Sequence, residues 1–150
     1  MLTIGSILAP TEFGEHSRAS LRYAVGLAER FGATLHLLHI LPEVIPAGPD
    51  MMIAPALPPE YYAETEAATL ASLPTALDPA WGNVPALKTA VRWGEAVDGV
   101  VDYAKEHTID LIVVATHGRH GLSHALLGSA AERIVREAPC PVLTIRDTHV

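Results

Sequence analysis

Residues 110 to 130 constrain this chain most. Leu111 to Ala115 is a short apolar run, rich in β-branched residues, of the kind that suits a central parallel strand covered on both faces. A loop carrying Gly118 and Gly121 follows it. An amphipathic helix is predicted to begin at Gly128-Ser129, with Ala130, Ile134 and Val135 on one side and Glu132, Arg133 and Arg136 on the other. Glycines admit close backbone approach, and the free N–H groups and dipole of a helix start favour an anion. The stretch therefore predicts a phosphate cradle at the C-terminal end of a strand.

The cradle is not a Walker loop. No lysine occurs in residues 106 to 150, so no P-loop lysine can meet the phosphates. Backbone amides are expected to carry most of the phosphate charge, helped by Arg119, with Ser129 the nearest helix-start hydroxyl. A divalent ion would be held by phosphates and water.

The rest of the chain alternates strand and helix. Thr3 to Ala9 reads as a strand ended by Pro10, which cannot donate to a ladder. Glu15 to Phe31 reads as a helix, with Leu21, Ala24, Val25 and Ala28 on one face and Gly32 as a left-handed cap. Thr34 to Ile40 is a second strand. Residues 41 to 59 carry six prolines around Met51-Met52-Ile53 and read as a long loop. Pro59 opens a helix running to about Leu73, and Pro74 to Pro85 is a turn-rich link. Leu87 to Trp93 is a third strand, and Ala96 to His107 a helix with Val97, Val100, Val101 and Ala104 inward. After the strand at Leu111 and the helix at Ser129 to Glu137, Val142 to Ile145 closes the series as a fifth strand. Such alternation means an α/β sheet with right-handed crossovers, and a chain of 150 residues is expected to form one domain.

Composition narrows the function. A net charge of −7 opposes a duplex nucleic-acid binder, which needs a basic face. No apolar run approaches the roughly 20 residues that cross a bilayer. One cysteine and no secretory-type start predict a reducing, cytoplasmic setting. Cys140, between two prolines, is expected to be a small buried hydrophobe.

The spacing Gly118, nine residues, Gly128-Ser129, together with Pro10-Thr11 and Pro139-Cys140-Pro141-Val142, resembles the universal stress protein family. Its ATP-binding members carry Gly, two residues, Gly, nine residues, Gly, then Ser or Thr. The first glycine falls at Ala115, and the family's usual aspartate falls at Glu12; both depart from the pattern. The resemblance implies a Rossmann-like, adenine nucleotide alpha hydrolase-like fold: a five-stranded parallel sheet of order 3-2-1-4-5 with helices on both faces. Strand order then reverses between strands one and four, where ligands bind in such sheets.

By position, the resemblance implies a nucleotide site. Pro10, Thr11 and Glu12 would border adenine and ribose, and Ile40 would contact the base. Val114, Ala115, Thr116, His117 and Gly118 would run under ribose and phosphates, with Arg119 near. Gly128, Ser129 and Ala130 would close on the phosphates. It also implies ATP, with or without Mg, and a homodimer through the edge strand Val142 to Ile145. The expected activity is that of a stress-response regulator, with at most slow hydrolysis and no catalytic residue assigned. A non-nucleotide interaction dimer and a slow ATPase are the rival readings.

His117, His120 and His124 have a spacing open to metal, but no Cys or carboxylate lies among them, and no metal site is expected. His36 and His39, three apart in a strand, point to opposite faces and read as structural, His39 near the pocket mouth. Glu12 reads as a binding carboxylate rather than a base. Trp81 and Trp93 read as core or interface.

Overall fold

The computed structural model describes residues 1–43, 57–117 and 127–147. Its strands are β1 (Ser6–Pro10), β2 (Thr34–Leu41), β3 (Ala86–Trp93), β4 (Leu111–Ala115) and β5 (Val142–Ile145). Its helices are α1 (Glu15–Phe31), α2 (Pro59–Ser72), α3 (Ala96–Glu106) and α4 (Ser129–Glu137). All strand pairs are parallel, in the order β3-β2-β1-β4-β5. This is the expected sheet, with β5 on an edge. The long loop read over 41 to 59, with Met51-Met52-Ile53, falls largely outside the described residues, as do His120 and His124.

Alternation along each strand feeds two cores. Ile7, Ala9, Leu35, Leu37 and Val113 face α1 through Leu21, Ala24, Val25 and Ala28. Leu8, Leu38, Ile112 and Val114 face α3 and α4 through Val97, Val100, Val101, Ala104 and Ile134. Both sides of β4 are thus covered, as its apolar run requires. Gly32 caps α1 at φ 66, the left-handed conformation that suits glycine.

Apart from single-residue shifts at other element ends, three features depart from expectation. β1 starts at Ser6 rather than Thr3. The Gly5 and Ser6 amides donate instead to the Asp110 carboxylate, at 2.8 and 2.9 Å. Second, the link after α2 contains two short 3₁₀ turns, Leu73–Ala76 and Pro79–Trp81. Third, α4 is rotated relative to its predicted face. Ala131 and Ile134 are buried, while Ala130 is exposed and Val135 is 48% exposed.

The aromatic and sulfur side chains sit largely at the margins of these cores. Trp81 packs on the α1-side core under the Arg18 guanidinium, 5.1 Å from its ring. Trp93 meets Tyr62 edge-on at 5.0 Å and donates its indole N–H to Glu66 at 2.9 Å. Cys140 is half-buried rather than buried, and desolvation pushes its thiol up, which keeps it protonated and unreactive.

Candidate functional site

β1 and β4 lie side by side, yet their pairing is short: Ile7 opposite Leu111 and Leu8 opposite Ile112. Beyond that point each strand continues with its outer neighbour only. Ala9 and Pro10 pair with Leu37 and Leu38 of β2. Val113, Val114 and Ala115 pair with Leu143, Thr144 and Ile145 of β5. The loops keep the same allegiance, since Thr11 N–H donates to Leu38 O and Thr116 N–H to Ile145 O, both at 2.9 Å. The two C-terminal strand ends therefore keep to separate neighbours at the point where strand order reverses, the place where ligands bind in such sheets.

Pro10 fits this division. Amides alternate edges along a strand, and Thr11 N–H points to β2. The Pro10 nitrogen, one residue earlier, points toward β4, where no ladder remains to be served.

The far wall is the start of α4. Gly128 has ordinary extended angles, φ −65 and ψ 154, so its conformation does not require glycine. Space does: its N–H donates to Thr116 O at 2.6 Å, and a Cβ there would lie 2.7 Å from that oxygen. Glycine is what lets the helix start sit on the loop after β4. Among the described residues no side-chain cap is seen at the start of α4, whose N-cap is Gly128. Helix geometry leaves the Ser129, Ala130 and Ala131 amides without intrahelical acceptors, and Ser129 and Ala130 are exposed.

The charged side chains described on α4 are taken up elsewhere. Arg133 reaches Asp98 at 3.1 Å, Glu95 at 3.5 Å and Glu137 at 3.3 Å. Arg136 pairs with Glu132 at 2.8 Å. What α4 offers toward Thr116 is main chain and dipole.

The near wall is the β1–α1 loop. Thr11, which follows β1, and Thr116, which follows β4, are 3% and 5% exposed. Glu12 is exposed, with its amide donating to Ser17 Oγ at 3.3 Å. His117 is half-buried, its Nδ1 3.0 Å from Thr116 Oγ1. Ile40 lies past the last β1 partner on β2 and packs on α3, where a Cβ on Gly99 would come 2.6 Å from its Cδ1. Gly118 and Arg119 lie outside the described residues. The other predicted positions gather on these strand ends, loops and helix start. Among the described residues no group of three or more His, Cys, Asp or Glu is placed to hold a metal ion.

The family model described as the universal stress protein family matches residues 3–146. The chain belongs to the universal stress protein family. Universal stress protein G of Salmonella typhimurium is 33% identical over 132 residues, which is 88% of this chain and 90% of that one. The solved UspA of Lactobacillus plantarum superposes with a TM-score of 0.74 at 28% identity, covering 97% of this chain and all (100%) of that one. A universal stress protein solved in complex with cAMP superposes with a TM-score of 0.67 at 21% identity, covering 98% and 100%.

Two features of this universal stress protein escaped sequence reasoning. Phe13 has φ 62, a left-handed conformation rare for an aromatic residue. His39 Nδ1 lies 2.6 Å from the Thr11 carbonyl. Neither spacing nor composition carries a signal for either. The histidine was visible, but its partner is 28 positions away.

Proposed function

We propose that this universal stress protein binds an adenine nucleotide, ATP, at the C-terminal ends of β1 and β4. The observation that carries the reading is the seating of Gly128 on Thr116 O beside two strand ends that keep to separate neighbours. That arrangement sets a helix start at a switch point, and the backbone amides of a helix start bind phosphate well. The solved relative that holds cAMP supports the same class of ligand. Ser129 and Ala130 would hold phosphate oxygens, with Gly118 and Arg119. Pro10, Thr11, Glu12 and Ile40 would border adenine and ribose, and Val114 to His117 would floor the site. A Mg ion would be carried by phosphates and water.

The protein acts, in this reading, as a cytoplasmic stress-response regulator of one domain that reports nucleotide through its shape. Hydrolysis is slow, because turnover needs a placed base and stabilised charge and no residue is assigned to either. The edge position of β5, with Val142, Leu143 and Thr144 half-buried, supports a homodimer joined along that strand.

Calorimetric titration with ATP tests the reading, with one nucleotide per chain expected, on a sample whose mass by light scattering is that of a dimer. Absence of heat at about 1 mM ATP, where even −4 kcal/mol of binding would register, leaves the interaction-dimer reading instead. A monomer mass removes the pairing of β5.

A further inference from the structure

We propose that His39 is the positioning residue of the β1–α1 loop, holding Thr11 and Phe13 in the shape that receives the nucleoside half of the ligand. The inference rests on the nucleotide reading above. It revises the sequence expectation that His39 is structural.

The Thr11 peptide is tied to β2 twice. Its N–H donates to Leu38 O at 2.9 Å, and its carbonyl lies 2.6 Å from His39 Nδ1. A carbonyl only accepts, so Nδ1 is the donor in this pair. Two residues on, Phe13 stands at φ 62. A bulky residue persists there only when its surroundings over-determine it. One restraint is local: Phe13 N–H donates to Thr11 Oγ1 at 3.1 Å. The other is His39 again, whose ring lies 4.9 Å from the Phe13 ring at 58°. One imidazole thus fixes both sides of Glu12, whose own amide is held by Ser17 Oγ at 3.3 Å.

Core filling does not explain this assembly. Phe13 is 40% exposed and His39 only half-buried. Nor does chain reversal, since the next residue, Gly14, would take a positive φ without strain. The strain sits at the C-terminal end of β1, beside the place where β1 leaves β4. Backbone strain of this kind collects at ligand clamps, where it fixes a loop before the ligand arrives.

The test is ATP titration of the parent, His39→Leu, His39→Asn and Phe13→Gly, each with its ligand-free melting temperature. His39→Leu is expected to weaken binding by about 10-fold or more, for loss of a preorganised loop. His39→Asn is expected to return to within about 3-fold of the parent, because its amide N–H reaches the place of Nδ1. Phe13→Gly is expected to weaken binding about 5-fold while ligand-free melting holds or rises, since glycine accepts φ 62. That split separates positioning from mere support of the fold, and it stands even if His39→Leu does not fold. Leucine binding within about 2-fold of the parent, asparagine as weak as leucine, or Phe13→Gly losing melting temperature and affinity together would each overturn the role of His39. A parent that binds no ATP defeats the site itself, a different failure that removes this role with it.

Discussion

Gly128→Ala is expected to lower stability and erase the thermal shift produced by ATP. The new Cβ would stand 2.7 Å from the Thr116 carbonyl, a backbone atom that no rotamer change can move aside. Either α4 lifts from the loop or the loop gives way. Forced overpacking of this kind costs about 1–3 kcal/mol, and alanine also caps a helix less well than glycine. For a chain of this length the melting temperature should fall by about 3–10 °C. Lifting α4 also withdraws the Ser129 and Ala130 amides, so ATP should no longer raise what melting temperature remains.

Gly26→Ala supplies the control. It lies within α1 with nothing inside 4 Å of its added Cβ, so the same chemical change should stabilise by about 0.5–1 kcal/mol. Differential scanning fluorimetry of both variants, with and without ATP, reads the contrast. A Gly128→Ala protein that melts with the parent and keeps its ATP shift would place the cradle elsewhere.

The second large effect is acid lability set by His36. This side chain is 3% exposed, and its Nδ1 lies 2.8 Å from the Tyr103 hydroxyl. Tyr103 is stacked on His107, their ring centroids 3.9 Å apart, and Arg92 lies over its ring at 4.9 Å. Burial, and then the nearby Lys88 and His107, push the His36 pKa down to about 4 from 6.5. The unfolded chain therefore binds this proton more readily than the folded one. His36 costs nothing above pH 6.5 and progressively destabilises as pH falls toward 4, where the loss levels off. The size of the shift corresponds to about 3 kcal/mol across that window.

Urea unfolding at several pH values between 7.5 and 4 should show this slope in the parent. His36→Gln, which cannot titrate, should be less stable at neutral pH for want of the Tyr103 bond, yet should lose less on acidification. Subtracting the two profiles removes the carboxylates common to both. Parallel profiles would mean that His36 takes up its proton in the fold at an ordinary pH.

The elements that sequence marked best are those whose pattern is local. β4 and β5 were legible to the residue because each is a brief apolar run between turn-forming segments. α1 was legible because its inward face and its Gly32 cap both speak through spacing. The start of β1 was not. Thr3 and Ile4 have strand character, but Asp110, more than a hundred positions on, takes the Gly5 and Ser6 amides. The buried side of α4 failed for a related reason. Ala130 with Ile134 and Ala131 with Ile134 are both sound helical spacings. The docking of Gly128 on Thr116 decides between them, and that contact belongs to the tertiary fold.

The site divides the same way. Thr11, Thr116 and Gly128 were singled out by motif and topology, and in the fold they lie on the loop after β1, the loop after β4 and the start of α4. The hold of His39 on Thr11 was illegible, because a histidine in a strand has the same sequence signature whether it packs or donates. The departures at Ala115 and Glu12 gain a physical reading. Ala115 is the last residue of β4 and pairs with Ile145 there, a position where an alanine is readily accommodated. Glu12 is exposed in the β1–α1 loop.

The most direct measurement follows the amides themselves. In a ¹⁵N-labelled sample titrated with ATP, the Gly128, Ser129 and Ala130 amide resonances should move downfield together and saturate at one nucleotide per chain, as hydrogen bonds to phosphate form. Movement at lysine or arginine side chains with those three amides unchanged would contradict a main-chain cradle at the start of α4.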